Sequence, residues 1–238
     1  MLETLAQPAN AGTSNDPLTR EKNVLRWGGL AGILGGAFFI LSAAVVIGFG
    51  LPDPGSPEAL ARFPEIRVAR TLENGFYLVA VVLWSHHVLA LCRALRGTSP
   101  AAALFGCALS VMGLMALAAG ALPQVASPRI SDLYHTPGTS SADRAALVLT
   151  WQANYGTFEA LLAVGILLAT AGLIVLGLAM LGSPAFGKRL GWFSVGLGAA
   201  GVAAGYIAMV DPSSPIPAVG VVSLTVFSLA LGWKTYRA

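Results

Sequence analysis

Residues 155–181 read YGTFEALLAVGILLATAGLIVLGLAML, and Glu159 is the one charged residue in this stretch. A helix needs about 20 predominantly apolar residues to cross the hydrocarbon core of a bilayer. Backbone amides in hydrocarbon must find their hydrogen-bond partners within the same segment, so an apolar stretch of this length is predicted to be a helix. The stretch is therefore predicted to cross a membrane.

Five other apolar stretches accompany this one, which predicts an all-α fold with six transmembrane helices. The composition agrees, because 55% of the residues are hydrophobic, 11% are charged and the mean hydropathy is +0.73. We expect residues 27–238 to form one transmembrane domain and residues 1–26 to form a disordered cytoplasmic tail. The predicted helices cover about residues 27–51, 75–95, 101–122, 155–181, 190–210 and 216–233.

The proline positions support these boundaries, because proline removes a backbone donor and disrupts helix interiors. Of the 14 prolines, only Pro217 falls inside a predicted helix, and it occupies the first turn, where proline is tolerated. Pro123 and Pro128 are assigned to the loop after the third helix. The predicted helices are thus free of internal breaks.

The basic residues predict the orientation, because Lys and Arg are enriched in the cytoplasmic loops of membrane proteins. With both termini in the cytoplasm, nine of the 14 basic residues lie on the inner side and five on the outer side. The nine are Arg20, Lys22, Arg26, Arg93, Arg96, Lys188, Arg189, Lys234 and Arg237, and the five are Arg62, Arg67, Arg70, Arg129 and Arg144. A net charge of +3, spread over short connections, argues against nucleic acid as a partner.

The two long outer loops each contain a signal for the start of a helix. Ser56 followed by Pro57 resembles an N-cap with proline in the first turn, which predicts a short interfacial helix over residues 58–63. Ser141 and Asp143 precede an apolar-periodic run at residues 145–151, which either continues into helix four or lies along the membrane surface. We expect both segments to cover the outer end of the bundle.

Small residues recur every three or four positions on the odd-numbered helices. This spacing places them on one face, where helix backbones can approach closely. The pattern favours tight packing within a bundle, and it leaves open a homo-oligomer formed through the same stripes. A narrow pore or the sliding faces of a transporter is the alternative. The residues are Gly28, Gly32 and Gly36, then Gly106, Ser110 and Gly113, and then Ser194, Gly198, Gly201 and Gly205.

Helix two carries a polar stripe. At about 100° per residue, Glu73, Tyr77, Trp84 and His87 fall within about 80° of one another. Glu73 is expected near the outer surface and His87 in the inner half of the membrane. The competing interpretation places Glu73 in the headgroup region, where it precedes or caps the helix.

Helix four carries a second polar set, Gln152, Tyr155 and Glu159, on one face near its outer end. An ionised carboxylate is costly in hydrocarbon, so Glu159 is expected to face the bundle interior, a water-filled vestibule or a hydrogen-bonding partner. If helices two and four are neighbours, Glu73 and Glu159 line one outward-opening cavity. This arrangement predicts a non-enzymatic membrane protein that binds a small or lipidic ligand. The predicted ligand-binding residues are Glu73, Tyr77, His87, Gln152, Tyr155 and Glu159.

Two other functions compete with ligand binding. Glu73 and Glu159 are also the residues that a small cation- or proton-coupled transporter would use. His86 and His87 suggest a metal or haem carrier, although adjacent side chains on a helix diverge, which favours one satisfied core histidine each. The sequence lacks an HExxH motif, a GxSxG elbow and a Gly-rich phosphate loop, so enzyme chemistry finds little support.

Three features follow one another along the chain in an order typical of a known family. Arg26 opens a Gly-rich first helix at residues 26–36, and an Arg-containing approach leads into a polar second helix at residues 67–91. A Trp-Gln pair at Trp151 and Gln152 opens a long later helix at residues 151–177. In this order the features resemble an uncharacterised bacterial membrane family, the domain of unknown function 4386, and the resemblance covers nearly the whole chain after the tail. It implies a multi-pass protein of the bacterial plasma membrane, and it supplies neither an activity nor site residues.

Overall fold

The computed structural model describes residues 17–211, 214 and 216–237, and all regular secondary structure in this part of the chain is helical. Six helical segments are long and apolar enough to cross a membrane, which confirms the predicted all-α fold with six membrane-length helices. One of these segments, Pro100–Tyr134, consists of two successive helices. The helices are α1 (Pro17–Gly48), α2 (Pro57–Ala61), α3 (Phe63–Leu95), α4 (Pro100–Ala119), α5 (Ala121–Tyr134), α6 (Ser141–Leu181), α7 (Gly187–Val210) and α8 (Pro217–Tyr236).

Three helices begin well before their predicted first residues. The prediction of a disordered tail is wrong for residues 17–26, which belong to α1, whereas residues 1–16 lie outside the described residues. The second and fourth membrane helices begin at Phe63 and Ser141 rather than near residues 75 and 155. Hydropathy detects only the apolar part of a helix, so polar turns beyond that part are missed. Because α6 begins at Ser141, the run at residues 145–151 is part of this helix.

The loop predicted after the third helix is also helical. The chain passes from α4 to α5 through Gly120, whose backbone is right-handed helical with φ −59° and ψ −21°. Pro128, assigned to a loop, lies inside α5. Proline disfavours a helix interior without excluding it, so this boundary could not be fixed from proline alone.

The six membrane-length segments form a closed ring. Each packs on two neighbours in the order α1, α3, α4, α6, α7 and α8, and α8 returns to α1. Further contacts between α6 and α8 cross the ring. Helices α3 and α6, which would have to be neighbours for Glu73 and Glu159 to line one cavity, make little direct contact because α4 lies between them in this order.

The glycine stripes pack helices of the same chain together. A methyl group added at Gly113 would lie 2.6 Å from the carbonyl oxygen of Gly165, so α4 and α6 are in backbone contact there. On the other side of α6, a methyl group at Gly177 would lie 2.8 Å from the carbonyl oxygen of Gly191 in α7. Gly32 of α1 similarly faces His87. This arrangement accords with the packing interpretation of the stripes.

One end of the bundle is covered by α2, α5 and the first turns of α6, and we refer to it as the cap end. Ser56 N-caps α2, since its hydroxyl oxygen accepts from the backbone amide of Ala59 at 3.1 Å. The indole nitrogen of Trp151 donates to the carbonyl oxygen of Pro54 at 2.8 Å, and its ring lies edge-on to Phe63. The predicted short helix after Ser56 is therefore present; it begins one residue earlier and ends two residues earlier than expected.

Candidate ligand site

Glu73 is held in an ion pair near the cap end. Its Oε2 atom lies 2.8 Å from Nη1 of Arg70, one turn earlier on α3, and the Arg70 residue is only 7% exposed. The other terminal nitrogen of Arg70 donates to the carbonyl oxygen of Pro52. The hydroxyl of Ser42 in α1 donates to the backbone carbonyl oxygen of Glu73 at 3.0 Å. Glu73 thus belongs to a partly buried network that fixes the loop between α1 and α2 to α3.

Tyr77 lies one turn further along α3. Its hydroxyl donates to the carbonyl oxygen of Leu117 in α4 at 2.8 Å, and its ring meets Phe158 of α6 edge-on at 6.4 Å between centroids. Tyr77 and Glu73 line a cavity of about 200 Å³ together with Phe158 and Leu162 of α6. The predicted proximity of Glu73 and Tyr77 is therefore present.

Glu159 and Tyr155 line a larger cavity of about 550 Å³ between α6, the end of α7 and the start of α8. Glu159 is partly exposed and makes no hydrogen bond or ion pair with any residue in the described ranges. Most of the remaining wall is apolar. It consists of Gly156, Ala160, Leu162, Ala163, Val164, Ala208, Met209, Ser214 and Pro217.

The two carboxylates lie in different cavities, and an aromatic layer lies between the two spaces. Phe158 lines the Glu73 cavity and stacks on Tyr155 at 5.4 Å between ring centroids, while Leu162 contributes to both cavities. Tyr155 is nevertheless within electrostatic range of Glu73 and Glu159, and also of Arg70 and Asp53. Tyr155 is thus the residue that connects the two predicted sets.

The remaining predicted residue of α6, Gln152, is exposed and lines neither carboxylate cavity. Asn154, which the sequence reasoning did not select, donates from its side chain to the carbonyl oxygen of Pro123 at 2.7 Å. Arg70 was also missed, because it was placed in a loop. Its spacing of three residues from Glu73 would have identified the pair if the helix had been extended to Phe63.

His86 and His87 face different surroundings, as their adjacent positions predict. His87 is fully buried, and its Nδ1 atom lies 2.8 Å from the carbonyl oxygen of Gly28. Because a carbonyl only accepts, Nδ1 carries the proton and donates to Gly28. Nε2 of His87 has no partner among the described residues. His86 is exposed, and its Nδ1 atom lies 2.9 Å from the carbonyl oxygen of Val82.

In the part of the chain that the structure describes, no group of three His, Cys, Asp or Glu side chains converges, so no side-chain cluster there is a candidate for binding a metal ion. Structural zinc sites use four such ligands and catalytic ones usually three. Cys92 and Cys107 are both free and buried. The arrangement offers instead one unpaired carboxylate beside an apolar cavity.

Comparison with protein-family models, with curated proteins and with solved structures finds no significant match to this chain. The resemblance to the domain of unknown function 4386 therefore stays a prediction from the sequence.

Proposed function

We propose that this chain is a membrane protein that binds a small or lipidic ligand in the cavity lined by Tyr155 and Glu159. The observation that carries the proposal is that Glu159, inside a membrane-length helix, has no hydrogen-bond or ion-pair partner among the described residues and adjoins a cavity of about 550 Å³. Ionisable groups within membrane helices are costly and commonly mark ligand or ion pathways. The size of the cavity is within the range of small-molecule sites.

The chemistry of the walls indicates an amphipathic ligand with a positive charge. Leu162, Val164 and Met209 supply apolar surface, and Glu159 supplies one negative charge. The ring of Tyr155 offers a further favourable surface for a cation. Glu73 is already neutralised by Arg70, so Glu159 is the carboxylate available to the ligand.

The orientation belongs to the same proposal. Because Lys and Arg are enriched on the cytoplasmic side, we place the end with more of them inside. Both termini then lie in the cytoplasm and the cap end faces outward. Helix α2 then lies at the outer membrane interface, and the cavity of Glu159 opens toward the outer half of the bilayer. The bacterial plasma membrane follows from the family resemblance and from no other observation.

A cation- or proton-coupled transporter is the second candidate, because an unpaired intramembrane carboxylate also suits a proton or cation relay. The ion pair with Arg70 makes Glu73 a poor carrier, so Glu159 alone would couple. A histidine-based carrier of metal or haem has less support, since His87 is enclosed and His86 lies on a separate surface. A visible haem spectrum or stoichiometric metal in the purified protein would support that third function.

Binding of tetraphenylphosphonium, an apolar cation, tests the ligand proposal. We expect saturable binding to the purified protein by equilibrium dialysis. Binding by Glu159→Gln should be about tenfold weaker, because the variant lacks the negative charge that attracts the cation. A tenfold change in affinity corresponds to about 1.4 kcal/mol. Triphenylphosphine oxide, a neutral compound with three phenyl groups on phosphorus instead of four, should bind weakly and should not distinguish the two proteins.

Glu65→Gln is the matched control, because Glu65 is an exposed carboxylate at the same end of the bundle. This variant should bind like the parent protein. Equal binding by the parent and Glu159→Gln, or an equal loss in Glu65→Gln, would contradict the proposal. Proton-coupled flux in proteoliposomes that disappears in Glu159→Gln would favour transport, and flux retained in that variant would exclude coupling through Glu159.

A further inference from the structure

We propose that the groove between α1 and α3, at the opposite end of the bundle from the cap, binds an anionic phospholipid. The groove has a volume of about 550 Å³. It is lined by Asn23, Trp27 and Ala31 of α1 and by His86, Leu89 and Ala90 of α3. The occupant we assign is one lipid, with an acyl chain along the apolar part and the phosphate at Arg93. This site is separate from the Glu159 cavity and does not depend on its function.

The packing of α1 on α3 fixes which residues share a depth in the membrane. Gly28 accepts a hydrogen bond from His87, and Ser42 donates to Glu73, so the two helices are antiparallel. Asn23, five residues before Gly28, therefore lies at the level of the residues about five positions after His87. Arg93 is in that turn. The groove thus ends, away from the membrane centre, between Asn23 and Arg93.

Arg93 also lies on the groove face of α3. It follows Leu89 by four residues and Ala90 by three, which places it on the same side of the helix, one turn closer to the C-terminal end of α3. The distance along the helix from His86 to Arg93 is about 10 Å. Arg93 is exposed and forms no ion pair with residues 17–211, 214 or 216–237. Its guanidinium group is thus available to a phosphate.

The charge at this end selects an anionic headgroup. Among the residues at this end whose side chains the structure describes, Glu21 is the one acidic residue, against eight basic residues. Some of these already have aromatic partners, since Arg26 lies over the Tyr236 ring and Arg237 over the Trp233 ring. The eight are Lys22, Arg26, Arg93, Arg96, Lys188, Arg189, Lys234 and Arg237. Anionic lipids are attracted by basic residues near the membrane surface, and guanidinium pairs with phosphate through two parallel hydrogen bonds.

The wall chemistry suits the remainder of the lipid. Ala31, Leu89 and Ala90 offer apolar surface to an acyl chain. Trp27 is 72% exposed, so its indole ring can report on what enters the groove.

Quenching of tryptophan fluorescence by brominated lipids tests this site in the full chain. The protein is reconstituted in phosphatidylcholine vesicles that contain either brominated phosphatidylglycerol or brominated phosphatidylcholine at the same mole fraction. We expect preferential quenching by the anionic lipid, and we expect Trp27→Phe to remove the preferential component. Arg93→Gln should reduce the preference about tenfold, the effect expected when a charge-assisted hydrogen bond to the phosphate is lost.

Arg189→Gln is the matched control, because Arg189 belongs to the same end of the bundle but lies on α7, away from the groove. This variant should keep the preference, and Arg93→Lys should keep most of it. Equal quenching by the two brominated lipids would overturn the proposal. An equal loss in Arg189→Gln and Arg93→Gln would also overturn it, because the attraction would then come from the general surface charge.

Discussion

At the scale of single residues, Arg70 and Glu73 form an enclosed ion pair, whereas Arg67 and Asp132 form an open one. The Arg70 side chain is 6% exposed, whereas both side chains of the Arg67 pair are at least half exposed. Removing one partner of a buried pair leaves an uncompensated charge and costs about 3–5 kcal/mol. An exposed pair contributes about 0–1 kcal/mol. We therefore expect Arg70→Met to lower the unfolding temperature in detergent much more than Arg67→Met does.

The double variant Arg70→Met with Glu73→Met is the control for this prediction. It removes both charges, so it should be more stable than Arg70→Met alone. If Arg70→Met and Arg67→Met unfold at the same temperature, the pair with Glu73 is not enclosed as described. If the double variant is no more stable than Arg70→Met, the loss arises from packing rather than from the unpaired carboxylate.

The sequence identifies the polar residues at this scale better than it identifies their partners. Glu73, Tyr77 and His87 can be selected because polar groups are rare in membrane helices. Their partners include the backbone carbonyls of Leu117 and Gly28, which belong to other helices. A single sequence contains no signal for such pairings, since every residue carries a carbonyl. The separation of Glu73 from Glu159 likewise depends on the order of the helices in the ring.

At the scale of helices, α6 packs closely on α4 through glycine. A methyl group at Gly113 would lie 2.6 Å from the carbonyl oxygen of Gly165 and 2.7 Å from Cα of Ala169, and backbone atoms cannot move aside separately. Overpacking of this kind costs about 1–3 kcal/mol. We therefore expect Gly113→Ala to lower the unfolding temperature of the protein in detergent.

Gly196 gives the matched control on α7. It lies inside a helix, and a methyl group there would meet no atom within 4 Å. Since alanine favours the helix over glycine by up to about 1 kcal/mol, Gly196→Ala should leave stability unchanged or raise it. Opposite signs for the two substitutions would support the close contact between α4 and α6. A stabilising Gly113→Ala would show that this contact is looser than described.

The number of membrane helices follows from hydropathy, but their ends do not. Apolar length gives the six spans because water and hydrocarbon differ so strongly as solvents. The first turns of α3 and α6 contain polar and charged residues, so they resemble loops in composition. The sequence signal at Ser141 and Asp143 lies at the start that hydropathy misses, although the capping residue is Ser140, whose hydroxyl oxygen accepts from the backbone amide of Asp143.

At the scale of the whole molecule, the proposed ligand cavity and the proposed lipid groove lie at opposite ends of one bundle. Their assignment to the outer and inner leaflets depends on orientation, which rests on the distribution of Lys and Arg. The glycine stripes are covered within the chain, so a homo-oligomer would use other faces of the ring. A direct measurement of orientation therefore bears on both proposals at once.

Cysteine labelling in intact cells tests this orientation. Pro137 and Gly97 are exposed positions in connections at opposite ends of the bundle, and both native cysteines are buried. With the cap end outside, a membrane-impermeant maleimide should label Pro137→Cys, and it should label Gly97→Cys only after the membrane is opened. The parent protein serves as the control for slow labelling of Cys92 and Cys107. The reverse pattern would place the termini outside and assign the Arg93 site to the outer leaflet, where anionic lipid would have to be present for the groove to be filled.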